Sequence, residues 1–229
     1  MLYGNRVNMQ DKNDPLTMIA EMVRDESRVA DVGCGVGNLA AFLTRAKRCL
    51  VTAVEVSPIM AEIAEQHCQA VIIGSVEDTQ IQQRLRDLGP YDYIIFADVL
   101  EHLVDPCRVL VAVHSAMEPG ARVLVSLPNV AHYSVRLGLA VGRFDYTDGY
   151  LLDRNHLRFF TRSSAKDMFA RCGYEVEQEM VHWVPHIASQ LPNSPVNRRL
   201  FGRLATKLAA GLLGYQFVYS LRESRAWIR

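Results

Sequence analysis

Five short runs rich in Val, Ile and Ala, at Arg28 to Val32, Leu50 to Val56, Ala70 to Ile73, Tyr91 to Ala97 and Ala121 to Leu127, alternate with longer segments whose apolar residues recur three or four positions apart. Runs apolar nearly throughout suit strands covered on both faces, and strands separated by helices form parallel βαβ units. The rhythm dictates an α/β fold. The helical segments are Pro15 to Arg24, Asn38 to Ala46, Pro58 to His67, Thr79 to Leu88 and Pro106 to Met117. Pro15, Pro58 and Pro106 stand in the first turn, where an amide would have no partner. After Pro128 the rhythm breaks. His132 to Gly142 and Ser163 to Cys172 read as helices around an aromatic, charged loop at Arg143 to Thr161, and Tyr174 to His182 and Tyr215 to Leu221 read as two late strands with a basic amphipathic helix near Arg198 to Leu213 between them.

With 229 residues, 49% of them apolar, the chain fits one domain with a sizeable core. Lys plus Arg and Asp plus Glu both total 25, so no basic field advertises a nucleic-acid partner. Charge is unevenly spread: Met180 to Leu221 holds no carboxylate but contains Arg198, Arg199, Arg203 and Lys207. No apolar stretch reaches the ~18 residues of a membrane span, and Met1 to Asn13 lacks the apolar segment of a secretory signal. The expectation is a cytoplasmic protein with no transmembrane span. Cys34, Cys49, Cys68, Cys107 and Cys172 are odd in number and never spaced C-x-x-C, which reads as reduced thiols rather than a disulfide framework or a zinc cluster.

The sharpest local feature is Asp31-Val-Gly-Cys-Gly-Val-Gly37, a strand running into a glycine turn and then a helix. Such a turn lets backbone approach a ligand and presents amide donors at a helix start. Asn38 stands where a dinucleotide fingerprint places its last glycine, which counts against a nicotinamide cofactor. Glu55 ends the next apolar strand, 22 residues after Gly33, where a carboxylate accepts hydrogen bonds from both hydroxyls of a ribose.

These residues, with Val54-Glu55-Val-Ser-Pro58, Gly74-Ser75-Val-Glu-Asp78, Tyr91 to His102 and Pro119 to Val125, make the chain resemble the class I S-adenosylmethionine-dependent methyltransferases over about half its length. Ser126 to His132, Arg143 to Thr147, Leu152 to Thr161 and Tyr215 to Val218 look like the bacterial subgroup associated with polysaccharide or glycosyltransferase systems; the chain is also similar to the ubiquinone-biosynthesis O-methyltransferases and to methionine-biosynthesis-associated methyltransferase-like proteins. The resemblance implies a Rossmann-like, seven-stranded, mostly parallel sheet with helices on both faces and an insertion after the fifth strand. It divides the single domain into an N-terminal helical segment (1–27), a cofactor-binding core (28–128), a substrate-side insertion (129–162) and the final helices and strands (163–229). It implies that Gly33, Cys34, Gly35 and Gly37 lie under the methionine part of S-adenosylmethionine, that Asp31 orients their loop, and that Glu55 holds the ribose. Val56 and Ser57 would flank the adenine, with Ser75, where many relatives carry Asp, and Val76 nearby. Ala97 and Asp98 would lie near the sulfonium and amino group.

Methyl transfer to a hydroxyl needs alignment and a base, and histidine suits that role near neutral pH. His156, in the polar run Asp153 to Arg158, and His132, after Pro128-Asn129, are the candidates; Asn129, Arg154 and Arg158 are candidate acceptor contacts, the two arginines for phosphate or carboxylate groups. Asp98, Glu101 and His102 form a D-x-x-E-H cluster that the ubiquinone-type resemblance associates with a divalent cation, but we read it as active-site wall, with no metal. The leading function is an O-methyltransferase acting on a sugar or other small metabolite, the partner being a small-molecule or glycan acceptor. A cofactor-binding regulatory partner without catalysis and a small-molecule N-methyltransferase are the alternatives. An adenine-methylating enzyme is disfavoured, since Ala97-Asp98-Val99-Leu100 replaces the N-P-P-Y turn.

Overall fold

The computed structural model describes residue 7, residues 9–183 and residues 210–224. Seven strands, β1 (Arg28–Val32), β2 (Leu50–Glu55), β3 (Ala70–Ile73), β4 (Tyr91–Ala97), β5 (Met117–Pro128), β6 (Tyr174–His182) and β7 (Gln216–Glu223), form one sheet in the order β3-β2-β1-β4-β5-β7-β6. The first five pair in parallel, while β7 lies antiparallel to both β5 and β6. This is the mostly parallel, Rossmann-like sheet expected from the sequence.

Both faces are covered, which is why the early strands are apolar at nearly every position. Ile94 and Phe96 of β4 join a core with Leu85 of α4 (Thr79–Leu88), Leu110 of α5 (Pro106–Val113) and Phe169 of α7 (Arg162–Arg171). Tyr93 and Ile95, on the opposite pleat, join a second core with Ile19 of α1 (Pro15–Met22) and Leu43 of α2 (Asn38–Lys47). Burying each such side chain contributes about 1.5–3 kcal/mol. The helices start where caps allow. Asp14, Ser57, Asp78 and Asp105 each accept an amide of the first turn of α1, α3 (Pro58–Ala64), α4 and α5, and proline follows three of them.

Several expectations are adjusted. α1 stops at Met22 because Val23 is already extended, and α3 and α5 finish in short 3-10 turns at Glu65–His67 and His114–Ala116. β5 begins at Met117, four residues early, with a register shift opposite Tyr91 and Tyr93. The segment after Pro128 contains one helix, α6 (Tyr133–Ala140), and then turns and isolated bridges as far as α7. The expectation of reduced thiols throughout is corrected at one pair, since Cys107 and Cys172 are joined as a disulfide with Cα atoms 5.5 Å apart. They lie 65 residues apart in sequence, and only the packing of α5 against α7 brings them together. Of the expected basic helix, only the short helix Ala210–Leu213 is described; Arg198, Arg199, Arg203 and Lys207 lie outside the described residues. Among the described residues no helix is long and apolar enough to cross a membrane.

The strand order fixes where a ligand can sit. After β3 the chain returns across the sheet to place β4 on the free side of β1, and the loops leaving the carboxyl ends of β1 and β4 diverge around a crevice.

Candidate functional site

The turn leaving β1 enters this crevice. The Gly33 amide donates to the Val54 carbonyl at 2.7 Å, which fastens the turn to β2. Its three glycines answer two different demands. A Cβ on Gly33 would stand 2.5 Å from Val99 Cγ2, and one on Gly37 would stand 3.0 Å from the Cα of Ala64 in α3, so both positions admit close packing. Gly35, at φ +56°, has nothing within 4 Å of where its Cβ would be. Its demand is left-handed backbone beside open space. Glu55, 6% exposed at the end of β2, accepts from the Gly35 amide at 2.8 Å with one carboxylate oxygen and from the Ser57 amide at 2.9 Å with the other. Each oxygen keeps a second lone pair.

At the end of β4, Asp98 takes φ +56°, a conformation that costs a non-glycine residue about 1–3 kcal/mol. The surroundings hold it there. Ser126 Oγ accepts the Asp98 amide at 3.0 Å and donates to Oδ1 at 2.6 Å, and Gln216 Nε2 donates to the same oxygen. Asp31, 2% exposed on β1, has one carboxyl oxygen without a hydrogen-bond partner. Burial, and next the Glu55 carboxylate, push its pKa up to about 7.

Asp31, Asp98 and the glycine turn share a cavity of about 830 Å³ with the loop after α6. Asp31, Gly33, Cys34, Gly35, Ala97 and Asp98 line one side. Asp148, Tyr150, Asp153, Asn155 and His156 line the other, together with Glu101 and His102 from the turn after β4. Burial, followed by the Asp31 carboxylate, pushes the Cys34 thiol up, which disfavours its thiolate. Glu101 is 1% exposed, both its carboxyl oxygens lack partners, and burial, followed by Asp98, raises its pKa well above the usual carboxylate range. Its own carbonyl accepts the Leu157 and Arg158 amides at 2.9 and 3.0 Å. His102 Nδ1 lies 3.1 Å from the Asn155 carbonyl and must donate to it, while its ring meets that of His156 edge-on at 4.8 Å. His156 is 9% exposed, and burial, then the neighbouring His102, lower its pKa.

The other sequence candidates lie elsewhere. Gly37, Glu55, Val56, Ser57, Ser75 and Val76 are not in the cavity lining; Ser57 caps α3, and Ser75 Oγ accepts the Glu77 amide. His132 is fully buried and caps α6, its Nδ1 2.8 Å from Ser134 Oγ. Asn129 is also fully buried, and its amide donates to the Gly211 and Gly214 carbonyls. Arg154 pairs with Asp148 at 2.6 Å and Arg158 donates to the Val104 carbonyl, so the structure does not bring these arginines to the cavity wall. The D-x-x-E-H cluster is also rearranged. Asp98 turns to Ser126 and Gln216, and His156 takes its place beside Glu101 and His102. Asp14, His182, Tyr215 and Gln216 line the cavity and were not singled out in the sequence. They arrive there because His182 pairs with Gln216 and its ring donates to the Asn13 carbonyl.

The donor set fits S-adenosylmethionine. The unpartnered Asp31 oxygen suits an ammonium group, the free lone pairs of Glu55 suit a ribose diol, and the space before Gly35 admits a ligand against bare backbone.

A family described as methyltransferase domain matches residues 8–179. The ubiquinone biosynthesis O-methyltransferase of Xylella fastidiosa is 34% identical over 138 residues, covering 53% of this chain and 54% of that protein. The chain thus spans about half the length of the curated relatives it matches. A SAM-dependent methyltransferase from Archaeoglobus fulgidus superposes with a TM-score of 0.64 at 16% identity, covering 94% of this chain and 95% of that one. A possible histamine N-methyltransferase from Thermotoga maritima gives 0.61 at 18% identity, covering 92% and 88%. Both structures share the fold.

Proposed function

The chain belongs to the methyltransferase-domain family, within the class I fold that takes S-adenosylmethionine, and from that premise we propose that it transfers a methyl group to a hydroxyl of a small acceptor. The observation that carries the reading is the shared cavity: the nearly buried imidazole of His156 opens on the same space as Asp31, Gly33 and Gly35. The curated relatives are named for methylation of oxygen, which supports a hydroxyl over an amine. A sugar hydroxyl is one acceptor of this kind, with residues 129–162 as the acceptor-side insertion.

When bound, S-adenosylmethionine supplies a methyl group on a positively charged sulfur, so the donor needs no further activation. The work left to the protein is binding, orientation and proton removal. Glu55 would hold the ribose while its existing bonds keep the Gly35 and Ser57 amides in place, and Asp31 would meet the ammonium. His156, where burial favours the neutral imidazole, would take the acceptor's hydroxyl proton and pass it to solvent. A positioned base of this kind contributes about 10²- to 10⁴-fold, and alignment adds several kcal/mol. His132 is the second candidate base, but its Nδ1 is committed to Ser134.

The test is incubation of the protein with methyl-labelled S-adenosylmethionine and a bacterial small-molecule extract. A labelled methyl ether formed with an equal amount of S-adenosylhomocysteine is the expected result. Label recovered as an N-methyl amine, or cofactor binding with no transfer, would replace the reading with one of its two rivals.

A further inference from the structure

We infer that the Glu101 carboxyl and the imidazoles of His102 and His156 form the seat of the acceptor's hydroxyl oxygen, and that this seat selects acceptors bearing no negative charge. The inference rests on the proposed function and supplies its substrate class. One ligand atom from each of the three side chains lies within 4.8 Å of the other two. Three points so spaced lie no more than about 2.8 Å from a common centre, within reach of ordinary hydrogen bonds to one hydroxyl. Glu101 supplies the independent sign of a missing ligand. Both its oxygens are buried in the cavity wall without a partner, a costly arrangement that a bound hydroxyl would relieve. A hydroxyl both donates and accepts, which suits an imidazole on one side and, on the other, the Glu101 carboxyl, whose burial favours the protonated form.

The charge of the wall sets the selection. Asp14, Asp31, Asp98, Asp148 and Asp153 line the cavity beside Glu101, whose burial favours the neutral carboxyl, and among the described lining residues there is no lysine or arginine. Arg154 and Arg158, the nearest guanidinium groups in sequence, are turned to Asp148 and to the Val104 carbonyl. A phosphate or carboxylate entering this space would meet acidic groups, and the Arg154 guanidinium beside it is already paired with Asp148.

Phenol and 4-hydroxybenzoate form a matched pair of probes, alike at the hydroxyl and differing by one carboxylate. Each is titrated into the protein saturated with S-adenosylhomocysteine, with the His102 and His156 ring signals followed by NMR. Phenol should shift both rings and bind at least about tenfold tighter than 4-hydroxybenzoate. Glu101→Leu should weaken phenol about tenfold, and Glu101→Gln, which keeps a donor and an acceptor, should restore it. Equal or tighter binding of 4-hydroxybenzoate overturns the inference, as does failure of millimolar phenol to move the rings. So does a one-to-one Zn²⁺ or Mg²⁺ site that Glu101→Gln removes, which would give the three groups to a cation. The probe comparison needs no variant and stands even where Glu101→Leu fails to fold. If S-adenosylhomocysteine itself does not bind, the proposed function fails, and the same comparison on the free protein still judges the seat.

Discussion

The two sides of the cavity are held in place by different means. On the side of β1 and β4, groups that face the cavity are fixed by the ladder of a parallel sheet, Val32 opposite Phe96 and Val54, and by the Gly35 amide, which donates to the Glu55 carboxylate as the Ser57 amide does. On the side of residues 143–161 there is no continuous ladder; the ties are local, among them the bridges Thr147 to Asp153 and Asn129 to Phe160, two amides bonded to the Glu101 carbonyl, the His102 bond to the Asn155 carbonyl, and the buried anchors Leu151 and Phe160. Side chains there are often exposed, Tyr146, Tyr150 and Leu157 among them. The first side is rigid wherever the sheet is rigid. The second depends on a few local ties and can be refitted without disturbing the sheet.

If that contrast is functional, changes on the two sides should separate binding from chemistry. The largest expected effect is on the second side. His156→Ala should lower turnover at least about 10²-fold with donor affinity nearly unchanged, and should remove the acidic limb of the pH profile of kcat. Because burial lowers the His156 pKa, that limb should lie below the ordinary imidazole value of 6.5, with activity rising as the ring loses its proton. Parallel loss of donor affinity, measured by calorimetry, would erase the distinction between the sides.

Glu55→Ala should do the reverse, weakening S-adenosylhomocysteine by about 1.5–3 kcal/mol, since a charged acceptor is removed and the Gly35 and Ser57 amides are released with it. A smaller effect belongs to Asp31, raised from 3.8 to about 7. Between these values the folded protein keeps a proton that the unfolded chain has lost, so this group's contribution to stability declines as pH rises across that window. An ammonium ligand favours the ionised carboxylate, and donor affinity should therefore rise about tenfold from pH 6 to 8. Titrations at several pH values should find the rise in the unmodified protein and a flat line in Asp31→Asn. Least of all should Arg154→Ala matter: its partner Asp148 is largely in solvent, and both KM and kcat should stay within about twofold in steady-state assays.

The same contrast governs what could be read from the sequence. The five parallel strands, the glycine turn and Glu55 are local or periodic: an apolar run, a turn that needs positive φ, a carboxylate at a strand end. Their meaning survives without knowing what they touch. Glu101 is different, since one more acidic residue after a strand gives no sign that it will be buried with both oxygens unpaired. His182 reaches the cavity only through its pairing with Gln216 and its bond to Asn13, 169 residues away. Asn129 and Arg158 sit in polar loop sequence that suggests ligand contact, yet their bonds go to main-chain carbonyls. Cys107 and Cys172 meet because two helices cover the same face of the sheet.

The antiparallel pairing of β6 with β7 has one further consequence. His182 and Gln216 are neighbours at the cavity edge, so the chain from Trp183 to Tyr215 leaves and rejoins the sheet at almost the same point. The ends of that excursion are joined by the hairpin itself, and the entropy of closing it grows only slowly with length, about 0.6 kcal/mol for each doubling. Insertions and deletions between the two residues are therefore cheap for the sheet. The pairing of the two strands thus tolerates changes of length there, leaving the glycine turn and its carboxylates untouched.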